Sequence, residues 1–217
     1  MVITFKDTIF VGADSRSTVY ITDPNTKKQE TKLLTICKIH NVGPTYYTIS
    51  GYPDGYIHNF IQNNLGKYSN INDFFPFFDS SMKAFLAAHL EKLKVSQPGR
   101  FKYFGENKIC TVCFFGFNGT QIGSIEFIFN LELPIKVPAK VTSQYVTQSS
   151  YTQGLDDHLA KLKGNYPFPA TPDVLLFIKN CIEYERKFHP DEIGLPIDLI
   201  YITRNGATWR TKKRNCN

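Results

Sequence analysis

The sequence predicts an α+β fold built on antiparallel sheets, and three observations carry the prediction. Stretches rich in β-branched and aromatic residues come in runs joined by tight turns, without the strict strand–helix alternation of a parallel sheet. Two separate stretches instead repeat their apolar residues at three and four positions, and each holds two helices. Finally, 217 residues with 42% apolar content can bury a full core, so 1–217 reads as one domain. The order is strands, two helices, strands, two helices, strands. Two helix pairs can cover the outer faces of two packed sheets, giving a four-layer αββα sandwich.

The elements follow in order along the chain. Val2 to Lys6 and Thr8 to Asp14 predict a hairpin, and Thr18 to Ile21 continues as strand. The polar run Thr22 to Lys28 is turn chemistry that tolerates insertion. Leu33 to Ile39 and Tyr46 to Ser50 predict a strand pair around Asn41-Val42-Gly43-Pro44. From Pro53 the spacing of Tyr56, Ile57, Phe60, Ile61 and Leu65 predicts a helix. A second runs from Ile71 to Lys94, with Phe77, Met82, Phe85, Leu86, Leu90 and Leu93 inward and Pro76 in its first turn.

Strands return at Phe101 to Phe104, Lys108 to Phe117, Gln121 to Asn130 and Ala139 to Tyr145. Ser149 to Leu162 reads as helix through Leu155, Leu159 and Leu162. The last helix is predicted to start at Thr171 as N-cap, with Pro172 at the first position, and to stop before Pro190. A final hairpin, Ile197 to Thr203 and Ala207 to Arg210, turns at Asn205-Gly206.

Composition narrows the function classes. With 25 basic and 19 acidic residues the net charge is +6, and the tail Arg210-Thr211-Lys212-Lys213-Arg214 reads as a solvated, partly frayed terminus. Basic residues interleaved with aromatics on one face are not evident, so no nucleic-acid partner is expected. No apolar run is long enough for a membrane span, and Lys6 and Asp7 interrupt the first one, so the expectation is a cytoplasmic protein. A cleaved leader outside this chain would be invisible to that reading. Five cysteines at irregular spacing argue against a complete disulfide framework. Cys110 and Cys113 lie three apart on a strand, so their sulfurs point to opposite faces and read as buried structural thiols. Asn118-Gly119-Thr120 reads as a hairpin turn before it reads as a glycosylation site. No metal cluster, phosphate loop or cofactor motif is visible, and no cofactor is expected.

One segment carries more specific information. Val2-Ile3-Thr4-Phe5-Lys6-Asp7-Thr8-Ile9-Phe10-Val11-Gly12-Ala13-Asp14-Ser15-Arg16-Ser17-Thr18 resembles the opening of proteasome β-type subunits, which are N-terminal nucleophile (Ntn) hydrolases. Lys38-Ile39-His40, Ser50-Gly51 and the strand Ile197 to Thr203 before an Asn-Gly turn add support. The family's αββα sandwich agrees with the element order. Its nucleophile is the hydroxyl of an N-terminal threonine, whose own α-amine serves as base. A lysine supplies positive potential, an aspartate holds the lysine, and a glycine N–H stabilises the oxyanion.

Carried over by position, the resemblance implies Asp14 for the aspartate, Lys38 for the lysine and Gly51 for the oxyanion glycine. Thr147 aligns with the serine that assists the amine. Asp191 matches a second family aspartate, while the family serine three residues later falls on Gly194, and its Gly-Gly becomes Leu195-Pro196. Simpler readings stand beside these. Asp14 and Arg16 at a strand end also read as a structural ion pair, Lys38 as a solvated strand lysine, and Gly51 as a turn glycine.

The family's threonine would fall three residues before Met1, and Thr4 cannot replace it because its nitrogen lies in a peptide bond. Two expectations follow. The chain is a proteasome-like threonine peptidase or amidase whose nucleophile is absent from these residues, and so inactive without it. Alternatively, it is a naturally non-catalytic, proteasome-like scaffold or interaction subunit. The resemblance implies a peptide or amide substrate for the first, and a ring-forming homo-oligomer for both.

Overall fold

The β-branched opening forms the expected hairpin: β1 (Val2–Phe5) pairs antiparallel with β2 (Thr8–Ala13), with Val2 opposite Val11. Lys6 makes the two-residue turn at φ 52°, in the left-handed region that such hairpin turns require. The computed structural model describes residues 1–22, 29–98, 101, 108–118, 121–132, 139–147, 150–152 and 156–213. The predicted strand at 101–104 and the turn at 119–120 lie largely outside them.

The chain forms two compact units, residues 1–40 with 149–217, and residues 41–148. In the first, β1 and β2 belong to a five-stranded sheet of order β10-β1-β2-β11-β12, with β10 at Ser150–Tyr151, β11 at Asp198–Thr203 and β12 at Gly206–Thr211. A separate ribbon pairs β3 (Arg16–Thr22) with β4 (Gln29–Thr35). Two helices, α3 (Asp157–Leu162) and α4 (Val174–Arg186), complete the unit. Leu175 and Ile178 of α4 bury against Ile197 and Leu199.

The second unit carries the sheet β5-β6-β7-β8-β9 and, among the described residues, two helices of more than ten residues. Its strands are β5 (Ile39–Val42), β6 (Thr45–Gly51), β7 (Lys108–Asn118), β8 (Gln121–Leu131) and β9 (Val141–Val146). The helices are α1 (Asp54–Asn64) and α2 (Ile71–Ser96). The apolar stripe of α2, Phe74, Phe78, Met82, Leu86, Leu90 and Leu93, is buried with Val112, Phe114, Phe127 and Phe129 of the sheet. Phe78 meets Phe114 edge-on, centroids 5.1 Å apart at 89°, the arrangement that ring quadrupoles favour. Both units are therefore mixed α and β with antiparallel pairing, as the α+β prediction requires. Among the described residues no helix is long and apolar enough to cross a membrane.

Several local expectations need correction. Phe77 is exposed, because Phe74 and Phe78 take the inward phase of α2. Pro76 sits in the second turn of α2, where its missing N–H costs one intrahelical bond, and the buried face carries the helix through it. The cap of α4 is Asp173, whose Oδ1 accepts from Leu176 N at 3.0 Å, while Thr171 accepts from Asp173 N. Ser150–Tyr151 is strand rather than helix, because it adds to the edge of β1. The stretch from Leu33 to Ile39 is two strands with a break between them.

The basic tail is also tied down as far as it is described. Lys213 is buried, and its Nζ lies 2.7 Å from Asp198 Oδ2 and donates to Ile36 O at 2.7 Å. Arg210 pairs with Asp173 at the start of α4. Cys110 and Cys113 are free, buried thiols, and burial pushes the Cys110 pKa up to about 12 and that of Cys113 up as well. Both are therefore neutral and unreactive near pH 7. Cys37 is disulfide-bonded.

Two outcomes test this packing. Lys213→Ala leaves a buried carboxylate unpaired and should lower stability by about 3–5 kcal/mol in urea unfolding; the double variant Lys213→Met/Asp198→Asn should recover most of it. In the second unit, His58 Nδ1 lies 3.0 Å from the buried Tyr47 hydroxyl, which already accepts from Gln62. Burial lowers the His58 pKa, with Asp54 opposing. A depressed folded pKa means stability that is full above the unfolded value of about 6.5 and is lost as pH falls through the folded one. Melting temperature should thus drop on acidification below about pH 6.5, and His58→Gln should flatten that dependence.

Candidate active site

Asp14 sits just past the end of β2, before β3, and its carboxylate collects three donors. Lys38 Nζ lies 2.7 Å from Oδ1. The backbone N–H groups of Arg16 and Gly194 donate to Oδ2 at 2.8 Å and 3.1 Å. Side-chain exposure is 16% for Asp14 and 27% for Lys38, so the pair is sheltered but reachable from solvent. An ion pair held this way is oriented by the backbone as well as by charge.

Lys38 is not a strand residue. It lies in the connection between β4 and β5, and that connection is fixed at Ile36, whose N–H donates to Ser15 O at 2.7 Å and whose carbonyl accepts from Lys213. The buried Lys213–Asp198 pair therefore positions the segment that brings Lys38 to Asp14. On the other side, Gly194 packs so tightly that a Cβ there would sit 2.8 Å from Arg16 Cβ and 2.9 Å from its Nε. A side chain at 194 would therefore force Arg16 to shift.

Arg16 does not pair with the Asp14 carboxylate through its guanidinium. Its Nη1 donates to Asp191 O at 3.3 Å, so Asp191 joins the cluster through its backbone carbonyl, with the residue itself exposed. The structure thus brings Asp14, Lys38, Arg16 and the 191–194 loop together within one unit.

Gly51 and Thr147 belong to the other unit, and that unit keeps them apart. Gly51 ends β6 at φ 99°, and a Cβ there would meet Ile109 O at 2.5 Å, so both conformation and space demand glycine. Thr147 is exposed and borders a cavity of about 240 Å³ with Thr45, at the opposite end of β6. Six residue steps along the strand separate Thr45 from Gly51, about 20 Å. Thr147 and Gly51 therefore do not share a site.

The sequence reading missed two features of the first unit. Thr152 follows β10, whose Tyr151 pairs with Val2, and its hydroxyl donates to Asp156. The signal was present as two hydroxyl residues flanking a strand, but reading 149–162 as helix hid it. The second is a cluster of Asp157, His158, Glu185 and His189, in which only the one-turn spacing of Glu185 and His189 is visible locally.

Comparison of the chain with protein-family models and with curated proteins gives no match.

The role of Asp14 as the anchor of this cluster is testable. Asp14→Ala strands one ammonium and two N–H donors and should lower stability by about 1–3 kcal/mol, read by chemical denaturation. Gly194→Ala should cost a similar roughly 1–3 kcal/mol through overpacking against Arg16. A neutral result for both would show that the cluster is not a structural anchor.

Proposed function

We propose that the chain is a proteasome-like Ntn-hydrolase domain, a four-layer αββα sandwich of the threonine-peptidase or amidase kind. The observation that carries the reading is the Asp14–Lys38 ion pair beside the starting end of β1. Met1 still belongs to the hairpin register, since its ammonium donates to Gly12 O at 2.8 Å and its carbonyl accepts from Gly12 N at 2.9 Å. Continued upstream on the same register, the third residue before Met1 would stand opposite Ser15, next to Asp14.

A threonine there with a free amine would have what the family's chemistry needs. Its α-amino group titrates at about 8 and can take the hydroxyl proton near neutral pH. The hydroxyl oxygen then attacks the carbonyl carbon of a peptide or amide. Lys38, held by Asp14, supplies positive potential to the hydroxyl as it loses its proton. Met1 carries an amine and no nucleophile, so the 217-residue chain by itself should be inactive.

Gly194 favours a second reading, a non-catalytic proteasome-like subunit that binds other copies or partners. The position of the family serine is filled by a glycine that contact with Arg16 requires, and its N–H serves only to hold Asp14.

One experiment separates the two. The chain is produced with three added residues led by threonine, freed by a specific protease, and assayed on fluorogenic peptide amides. The enzyme reading predicts hydrolysis by the extended chain, none by the chain starting at Met1, and a loss of about 100-fold or more with Lys38→Ala. Hydrolysis by the Met1 chain, or none by a folded extended chain, contradicts it and leaves the scaffold reading.

A further inference from the structure

We propose that Asp157, His158, Glu185 and His189 form a Zn²⁺ site that fastens α3 to the end of α4, independently of the reading above. All four lie in one unit, and one ligand atom from each falls within 4.8 Å of the other three.

The geometry is that of a cation cage more than of a hydrogen-bonded knot. His189 Nε2 lies 2.9 Å from Asp157 Oδ1 and 4.0 Å from Glu185 Oε1. His158 Nδ1 lies 3.4 Å from Asp157 Oδ2 and 3.4 Å from Glu185 Oε1. Only the first of these is an ordinary hydrogen-bond length. A tetrahedral Zn²⁺ with bonds of about 2.0–2.2 Å sets its ligand atoms about 3.3–3.6 Å apart, the middle of the observed spread. Small side-chain shifts would bring the six ligand–ligand separations, all within 4.8 Å, to that range.

Charge and preorganisation agree. Two carboxylates balance a divalent cation, and two imidazoles with two oxygens match the preferences of Zn²⁺. Glu185 is 1% exposed, and its oxygens accept from the backbone N–H groups of His158 at 2.9 Å and Leu159 at 3.0 Å. Those bonds occupy two of about four lone-pair sites and leave the others for a cation. Phe188 stacks on the His158 ring, centroids 3.8 Å apart at 5°, and fixes its plane. Asp157 is exposed and gives a way in, while Lys161 Nζ, 3.9 Å from Asp157 Oδ2, is mostly exposed and free to swing aside.

The need is also structural. α3 has six residues and no buried side chain, far below the length at which a helix holds itself. Its contacts with Glu185 are backbone caps at one end. A cation shared by Asp157 and His158 of α3 with Glu185 and His189 would join the two elements covalently in effect, and its binding energy would appear as folding stability.

The test uses the untagged 217-residue chain, stripped with chelator and titrated with ZnSO₄ by calorimetry and thermal melting. The expected result is one Zn²⁺ per chain, a melting temperature raised by Zn²⁺ and lowered again by chelator, and d–d bands of four-coordinate Co²⁺ on substitution. His189→Ala should weaken binding by more than the roughly 100-fold that loss of an outer-shell partner can cost. If that variant fails to fold, Asp157→Asn, at an exposed side chain, carries the same expectation. A melting temperature indifferent to both Zn²⁺ and chelator, or Zn²⁺ binding retained in folded His189→Ala or Asp157→Asn, overturns the proposal.

Discussion

The Asp14 carboxylate is the constraint on which the first unit's proposed chemistry depends. It holds four segments at once: the end of β2 that carries it, the start of β3 through Arg16 N, the β4–β5 connection through Lys38, and the 191–194 loop through Gly194 N. A sheltered carboxylate is stable only when its lone pairs are used, and here three donors use them. Lys38 is consequently set in one place. The buried Lys213–Asp198 pair fixes the same connection from the other side through Ile36. Positive charge beside the start of β1 is thus held by two acid–lysine pairs in series.

That arrangement gives the pair a structural role whether or not the chain is catalytic. Asp14 organises the ends of three strands, so its loss should cost stability as well as chemistry. Retention of Asp14 and Lys38 is therefore weaker evidence for catalysis than the sequence resemblance alone implies. Gly194 bears on the choice between the two proposed readings, because a side chain there would crowd Arg16.

Elements whose signal is local were legible in the sequence. The β1–β2 hairpin, the long α2 and the closing hairpin follow from period, β-branching and turn residues over a few positions. The phase of α2 was not, since Phe74, Phe75, Phe77 and Phe78 offer two competing stripes and only packing against Phe114 and Phe127 chooses between them. Lys213 read as a frayed tail because its partner, Asp198, is 15 residues away on another strand. At the candidate site, Asp14 and Lys38 were legible through the resemblance and do meet. Thr147 was placed by alignment across a stretch that the structure divides between two sheets, β9 and β10, and it does not meet Gly51. The histidine–carboxylate cluster needed the fold, because α3 and α4 are joined by a turn that sequence spacing cannot fold.

The central claim is that Asp14 holds Lys38 beside the start of β1, where the proposed nucleophile would stand. A crystal structure of the chain extended by three residues led by threonine tests it most directly. The expected result is the added threonine opposite Ser15, with its hydroxyl in hydrogen-bond reach of Lys38 Nζ while Lys38 stays paired with Asp14. A threonine directed away from Lys38, or a Lys38 released from Asp14, would contradict it.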